Sequence, residues 1–457
     1  MLDSLEIIIT KIGDFLWGLP LIVLLFGTHI YLTFKTGFVQ KYIFRGIKLS
    51  VTKDPNADGE ISSFGALTTA LASTIGTGNI IGVSSAIVAG GPGAVFWTWM
   101  TGIFGIATKY TETYIAIKYR RKLENGTYIG GAMTALEHLN LKWLGIAFAI
   151  ITALASFGIG CGVQSNAIAS VMYDNYGISH LVTAVVIVLL TILVIFGGVK
   201  SIAKVCQTLV PLMSLLYILG CICILFYNID YLPETFVTII SSAFSTRAMA
   251  GGFIGSTIMI AARYGIARGL FSNESGLGSS PIVSATANSQ NAIRNAIIGA
   301  TGTFWDTVVV CAITGLVLVS SVIANPDIST IGIEGGQLST LCFGQIPYIG
   351  TPLLIFGVVT FAFSTILGWC VYGERCLVYL VGDERFNKIY RVIWIVMAFL
   401  GAIINLSLVW KISDILNALM VIPNIVAVIL LAKQCKKDTD YFLVKNKIDE
   451  KDHEMLF

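Results

Sequence analysis

Two glycine-rich stretches hold most of the polar chemistry in this sequence. The first reads Ser73-Thr74-Ile75-Gly76-Thr77-Gly78-Asn79-Ile80-Ile81-Gly82. A glycine inside a helix costs about 1 kcal/mol relative to alanine, so Gly76, Gly78 and Gly82 favour local unwinding. In hydrocarbon, the N–H and C=O groups freed by unwinding find no partner in lipid. A half-helix N-terminus suits a carboxylate and loose carbonyls suit a small cation, so a zwitterion and an ion together fit such a break. Close helix packing is the plainer use of the same glycines. They also spell GxGxxG, but a dinucleotide site needs a preceding strand and a βαβ unit, and the flanks here are long apolar runs.

The second stretch, Ala261 to Pro281, contains Gly265, Gly269, Gly276 and Gly278 together with Arg263, Arg268 and Glu274. Each charge at a bilayer centre costs about 2.5–3.5 kcal/mol, so this segment must face protein or water. The three ions read as a cytoplasmic-side gate or as structural pairs; the neutral Phe271 and Asn273, at the edge of the break, are the ligand candidates. Gln164 follows a glycine-rich run (Gly158, Gly160, Gly162) and is either a hydrogen-bonding ligand or interhelical glue. Ser364 and Thr365 lie three and four residues after Phe361, so one helical face can offer a carbonyl and two hydroxyls to a hard cation, unless the hydroxyls simply bond back to their own helix. Trp369 shares that face, as a pocket wall or as packing. Asp306 is a lone carboxylate in an apolar run. It is a proton or sodium ligand, a partner of Arg263 or a cap on a bent helix, with the structural roles slightly favoured. Lys109 and Glu112, three apart, read as a local ion pair.

The elements that must position these residues follow from composition. Of 457 residues 55% are hydrophobic and only 12% are Asp, Glu, Lys or Arg, about half the usual charged share of roughly 25%; mean hydropathy is +0.82. This excludes a soluble enzyme, a disordered chain and a nucleic-acid binder and leaves a polytopic membrane protein. The start, with Asp3 and Glu6, is unlike a cleavable signal peptide. The nine cysteines show no CxxC pair and read as reduced packing residues. Eleven windows can cross a bilayer: 15–34, 62–89, 93–117, 143–172, 179–199, 204–227, 249–283, 295–323, 349–380, 389–408 and 411–433. They are long and continuous, which predicts helices rather than a β-barrel. With the N-terminus outside, 25 Lys and Arg fall inside and three outside (Lys11, Arg247, Lys411), as the positive-inside rule expects.

The first span stands apart and the remaining ten divide as five plus five. An odd number of crossings per half inverts the second half relative to the first. The expected organisation is 1–61, an extra N-terminal transmembrane helix and a basic cytoplasmic loop; 62–227, the first five-helix repeat; 228–433, the second; and 434–457, a frayed cytoplasmic tail. The two interrupted stretches then open the two halves in equivalent positions, the arrangement that marks a transporter's binding site.

The run Gly90-Gly91-Pro92-Gly93-Ala94-Val95-Phe96-Trp97-Thr98-Trp99-Met100-Thr101-Gly102-Ile103-Phe104-Gly105 resembles the signature of the alanine/glycine:cation symporter (sodium:alanine symporter) family. It departs at Thr98, where Met is usual, and at Gly102, where Ser, Thr, Ala or Val is usual. Ile75–Ile80, Arg268–Glu274 and Ser364–Trp369 are similar to that family as well, so the likeness runs from about residue 60 to 425. The resemblance implies the amino acid–polyamine–organocation superfamily, the leucine-transporter fold, and Na⁺- or H⁺-coupled uptake of small neutral amino acids, alanine or glycine, across a prokaryotic plasma membrane. It further implies a substrate site of Thr77, Gly78, Asn79, Gln164, Phe271, Asn273, Thr365 and Trp369. It implies a sodium site of carbonyls near Ala72, Ile75 and Phe361 with the hydroxyls of Ser364 and Thr365.

The expected mechanism is alternating access, with Na⁺ as coupling ion because the implied ion site has no carboxylate to titrate. No other cofactor is expected. The rivals are a proton-coupled symporter and an amino-acid-gated sensor or channel. An intramembrane enzyme lacks its motif, since no HExxH or His–carboxylate cluster is present.

Overall fold

The computed structural model describes residues 2–54, 57–244, 257–404, 407–452 and 455, with side chains described for all but 2–7 and 407. The start of the expected 249–283 span, before Thr257, and Arg247 lie outside the described residues. Among the described residues the regular structure is helical apart from one short hairpin, Arg121–Lys122 against Tyr128–Ile129, and two isolated bridges, Asp58 to Ser289 and Ile61 to Ala287. In order the helices are α1 (Leu2–Leu16), α2 (Leu19–Thr36), α3 (Ile43–Ser50), α4 (Ser63–Thr74), α5 (Ile81–Gly90), α6 (Gly93–Lys118), α7 (Ala132–His138), α8 (Lys142–Ala155), α9 (Val163–Tyr176) and α10 (His180–Ile195). There follow α11 (Gly198–Tyr227), α12 (Leu232–Phe244), α13 (Ile258–Asn273), α14 (Pro281–Ser284), α15 (Ala292–Thr303), α16 (Ala312–Ala324), α17 (Gly335–Gly344), α18 (Gly350–Val381), α19 (Asn387–Ile403) and α20 (Ser407–Asp438). Two π-helical stretches, Ser156–Gly162 and Phe304–Cys311, join α8 to α9 and α15 to α16.

Six described stretches are long and apolar enough to cross a membrane: Ile8–Thr36, Lys142–Tyr176, Gly198–Tyr227, Ala292–Ala324, Gly350–Val381 and Leu408–Val444. A seventh is the pair Ser63–Thr74 and Thr77–Gly90, bent by 60°. The other expected windows hold α6, α10, α13 and α19, which are shorter or less apolar. The reason is clearest in α6: its second half, with Lys109, Glu112 and several threonines, is buried against protein, and a segment that does not meet lipid need not be apolar. On α10 the pattern is reversed. Leu181, Val185, Leu189 and Leu193 are exposed, as a lipid-facing surface requires, while Thr183 and Thr191 turn inward.

The two interruptions form as the glycines predict. α4 begins at Ser62, whose side chain accepts from the Gly65 N–H (3.0 Å), and stops at Ile75; one tight turn, Thr77–Asn79, leads into α5. α13 runs to Asn273, Glu274 takes the left-handed conformation (φ 54°), and the chain stays non-helical until the four-residue α14. α13 lies against α6 through Gly265 and Gly269, where a Cβ would strike Ala94 and Thr101 respectively, a small-xxx-small contact of the kind membrane helices use.

Arg263 and Arg268 need correction. They lie on the half of α13 that shares an end of the molecule with α1 and the start of α20: Arg263 pairs with Asp14 at 3.1 Å, and Arg268 lines a cavity with Asp14 and Lys411. They are therefore not at the end that carries Arg120 and Arg294, and on the expected topology, with Arg247 counted as expected, the asymmetry becomes 23 to five. A broken helix splits between two ends, so its charges cannot be assigned to one by counting spans.

The opposite end is closed. Arg120 donates to the carbonyls of Ala285 (3.0 Å), Ala287 (2.7 Å) and Asp58 (2.8 Å), tying the approach to α4 to the exit from α14. Arg375 pairs with Glu60 at 2.6 Å. The tail is not frayed: Lys118 meets Asp438 (3.1 Å) and Asp452 (2.9 Å), and Phe442, Leu443, Ile448 and Met455 are buried. Its charges had concealed its apolar residues, which are too sparse to show a period. Lys118→Ala would leave two buried carboxylates without their cation, a loss expected to cost about 3 kcal/mol. Limited proteolysis of the detergent-solubilised protein should then cut the tail beyond residue 444 in the variant and not in the wild type. Equal cleavage would show that this pair does not hold the tail.

Candidate functional site

The two interruptions meet at the middle of the molecule, and Asp306 joins them. Its carboxylate accepts from Asn79 Nδ2 (2.8 Å) at the first break and from Ser272 Oγ (2.9 Å) at the end of α13, as well as from its neighbour Thr307 Oγ1 (2.7 Å). Asp306 does not meet Arg263. Asn79 Oδ1 in turn accepts from the Gly76 N–H (2.9 Å), closing the turn. Asn273 makes the same kind of local turn, with Oδ1 accepting from the Ser275 N–H (2.9 Å) and Nδ2 donating to Thr307 Oγ1 (3.1 Å). Further along the second break, Glu112 Oε1 accepts from the N–H groups of Gly276 (2.9 Å) and Gly278 (3.1 Å) and from Asn424 Nδ2 (2.5 Å). Lys109 lies 3.9 Å from Glu112 but donates at 2.5 Å to Ser280. The expected local ion pair is thus part of a larger buried scaffold.

Between the breaks is a narrow cavity of about 20 Å³. Thr77, Gly78, Gln164, Phe271, Thr365 and Trp369 all line it, with Ser73, Thr74, Gly76, Ile159, Glu274, Leu277 and Asn417. Two expected ligands do not line it: Asn79 and Asn273 spend their amides on the turns just described. Glu274 and Asn417 were not foreseen as lining residues. Glu274 reads from the sequence as a gate or structural ion; Asn417 shares its span with Asn424 and lacks the glycine-rich flank that marks Gln164. Gln164 Nε2 is held by the Ile159 carbonyl (3.1 Å), leaving Oε1 3.5 Å from the Thr77 nitrogen. Phe271 separates this cavity from a larger one of about 360 Å³, lined also by Arg268, Glu334 and Trp410. Its ring stacks on Trp410 at 6.5 Å.

Beside the cavity, α18 crosses the end of α4. Ser364 Oγ and Thr365 Oγ1 each lie 3.1 Å from the Ala72 carbonyl and 2.9 Å from the Phe361 carbonyl. Two hydroxyls and two carbonyls thus converge from helices nearly 300 residues apart, and all four residues are buried. Ile75 is buried where α4 ends. Neutral oxygens gathered where helix ends leave carbonyls free are the donor set that suits a hard monovalent cation.

A broken-helix bundle with a small central cavity is the architecture of leucine-transporter-fold secondary transporters. Among solved structures, MhsT in complex with L-phenylalanine shares it with a TM-score of 0.58 at 14% identity, covering 82% of this chain and 89% of that one. The chain belongs to the sodium:alanine symporter family, whose model matches residues 2–456. The sodium/alanine symporter AgcS of Methanococcus maripaludis is 45% identical over 444 residues, 95% of this chain and 96% of that protein. A transporter of Haemophilus influenzae with no assigned substrate is 45% identical over 457 residues, 99% of both chains. The protein is a multi-pass membrane transporter and not an enzyme.

Replacing Asp306 by Ala removes the carboxylate acceptor of three buried donors, two of which keep weaker contacts to Cys311, for an expected total cost of about 1–3 kcal/mol; Asp306→Asn keeps an acceptor. Thermal unfolding in detergent should rank wild type above Asn and Asn above Ala. An Ala variant as stable as the wild type would remove Asp306 as the link between the breaks.

Proposed function

We propose that the protein is a sodium-coupled symporter of small neutral amino acids, alanine or glycine, working by alternating access. The observation that carries the reading is the convergence of the Ala72 and Phe361 carbonyls with the Ser364 and Thr365 hydroxyls directly beside the cavity. Thr365 belongs to both, so an ion there touches the wall of the substrate cavity. Ion binding would order the end of α4 and raise substrate affinity, and the coupling is reciprocal. In this reading Na⁺ sits among those oxygens with the Ile75 carbonyl, and the amino acid is held by Thr77, Gly78, Gln164, Phe271, Thr365 and Trp369. The small cavity and the two aromatic walls, Phe271 and Trp369, favour the smallest side chains.

The finer architecture belongs to the same proposal: eleven spans, one extra N-terminal helix before a five-plus-five inverted repeat, and a prokaryotic plasma membrane with the N-terminus outside and the C-terminus cytoplasmic. The 23-to-five charge asymmetry supports that orientation. On that orientation the sealed end at Arg120 is cytoplasmic and the Arg268 cavity faces out. One observation favours a second reading, proton coupling: Glu274 lines the cavity, although no carboxylate belongs to the four-oxygen set.

Labelled alanine should accumulate in proteoliposomes only when a sodium gradient points inward. Uptake that ignores sodium and follows pH would overturn the ion assignment in favour of protons. Thr365→Ala should raise the sodium concentration for half-maximal uptake by roughly 10-fold, the equivalent of about 1.4 kcal/mol; an unchanged sodium response would remove Thr365 from the ion site.

A further inference from the structure

The cavity is lined by polar groups that lack partners, and its Asn417 and Glu274 oxygens are acceptors. Asn417 Oδ1 and Thr77 Oγ1 are buried without a hydrogen-bond partner, and both residues are 1% exposed. Glu274, 3% exposed, is held through Oε2 by Ser279 Oγ (2.6 Å) while its side chain lines the cavity. Gln164 also turns its oxygen, not its nitrogen, toward the first break. Charge is unbalanced in the same sense. Around the second break Lys109 acts on three buried carboxylates, Glu112, Glu274 and Asp306. Glu112 and Asp306 each accept several hydrogen bonds from fixed protein groups, whereas among the described residues Glu274 has a single such donor and lines the cavity. A buried carboxylate so placed is costly until a cation reaches it, and an ammonium supplies three donors and the missing charge.

We propose that Glu274 and Asn417 form the seat for the substrate's ammonium group, a specificity site that deepens the proposed function and rests on it. The seat recognises a primary ammonium opposite the half-helix start at Thr77 and Gly78, the positive helix end that suits a carboxylate. Glu274 selects for charge, and Asn417 fixes direction from α20, across the cavity from the second break. The substrate class is accordingly α-amino acids, with 2-hydroxy acids of the same size and shape excluded.

The test is calorimetric binding of L-alanine and L-lactate to the purified full chain in sodium, since lactate replaces the ammonium by a hydroxyl. The wild type should bind alanine and reject lactate. Glu274→Gln should weaken alanine binding roughly 10- to 100-fold, the range for losing a charged hydrogen bond, and should narrow the alanine-to-lactate ratio, because an amide accepts from a hydroxyl as well as from an ammonium. Asn417→Ala should weaken alanine roughly 10-fold. Sodium should still raise the melting temperature of both variants, which shows that they fold and keep the ion site. A Glu274→Gln protein that binds alanine within about twofold of wild type, with the same rejection of lactate, overturns the seat and leaves the symporter reading standing. Should that variant fail to fold, an unchanged ratio in Asn417→Ala overturns it instead. A wild type that binds no alanine in sodium overturns both.

Discussion

The structure depends on one constraint: peptide groups freed from a helix inside a membrane must be satisfied by protein or by cargo, because lipid offers nothing. Two helices are broken here, and each break is braced by a carboxylate from elsewhere. Asp306 holds the first turn through Asn79 and the end of α13 through Ser272; Glu112 collects the amides of Gly276 and Gly278. Removing one partner of a buried polar network costs far more than the network's net worth, so these carboxylates define which backbone groups are spoken for. At the first break the Ala72 carbonyl meets only side-chain donors, Ser364 and Thr365, which is where the proposed cargo would compete for it.

That scaffold explains why the molecule is apolar outside and charged within. Exposed leucines and valines on α10 meet lipid, while Lys109, Glu112, Glu274 and Asp306 lie at its centre. It also separates rigid from movable parts. At one end Arg120 binds four carbonyls, of Asp58, Ala285, Ala287 and Ser289, with the docked tail behind it; at the other, Phe271, stacked on Trp410, lines both the inner cavity and the larger one. Rings slide past one another more cheaply than a buried guanidinium gives up its acceptors, so the two ends differ in what opening them must break.

Much of this was legible in the sequence. Both breaks were visible because glycine and buried charge are unfavourable in a lipid-facing helix, and the Ser364–Thr365 face because two hydroxyls share one turn with Phe361. The direction of side chains was not legible. Asn79 and Asn273 stand at the breaks, but an Asx side chain there readily bonds the backbone of its own turn, as both do. Arg263 and Arg268 were assigned to the wrong end because a helix that stops halfway cannot be read as one crossing. Asn417 shows the converse: its span looks ordinary, and only the packing of α20 on the π-helical turn beside Gly158 brings its amide to the cavity.

Glu274 sits where α13 ends with a left-handed backbone, φ 54°. That conformation costs an L-residue other than glycine, asparagine or aspartate roughly 1–2 kcal/mol, and glycine would take it freely. Stability alone would therefore choose glycine at this position, and the chain instead keeps a carboxylate against both backbone preference and burial. The left-handed joint ends α13 and turns the Glu274 side chain into the cavity wall, so one backbone kink both stops the helix and sets a carboxylate beside the first break.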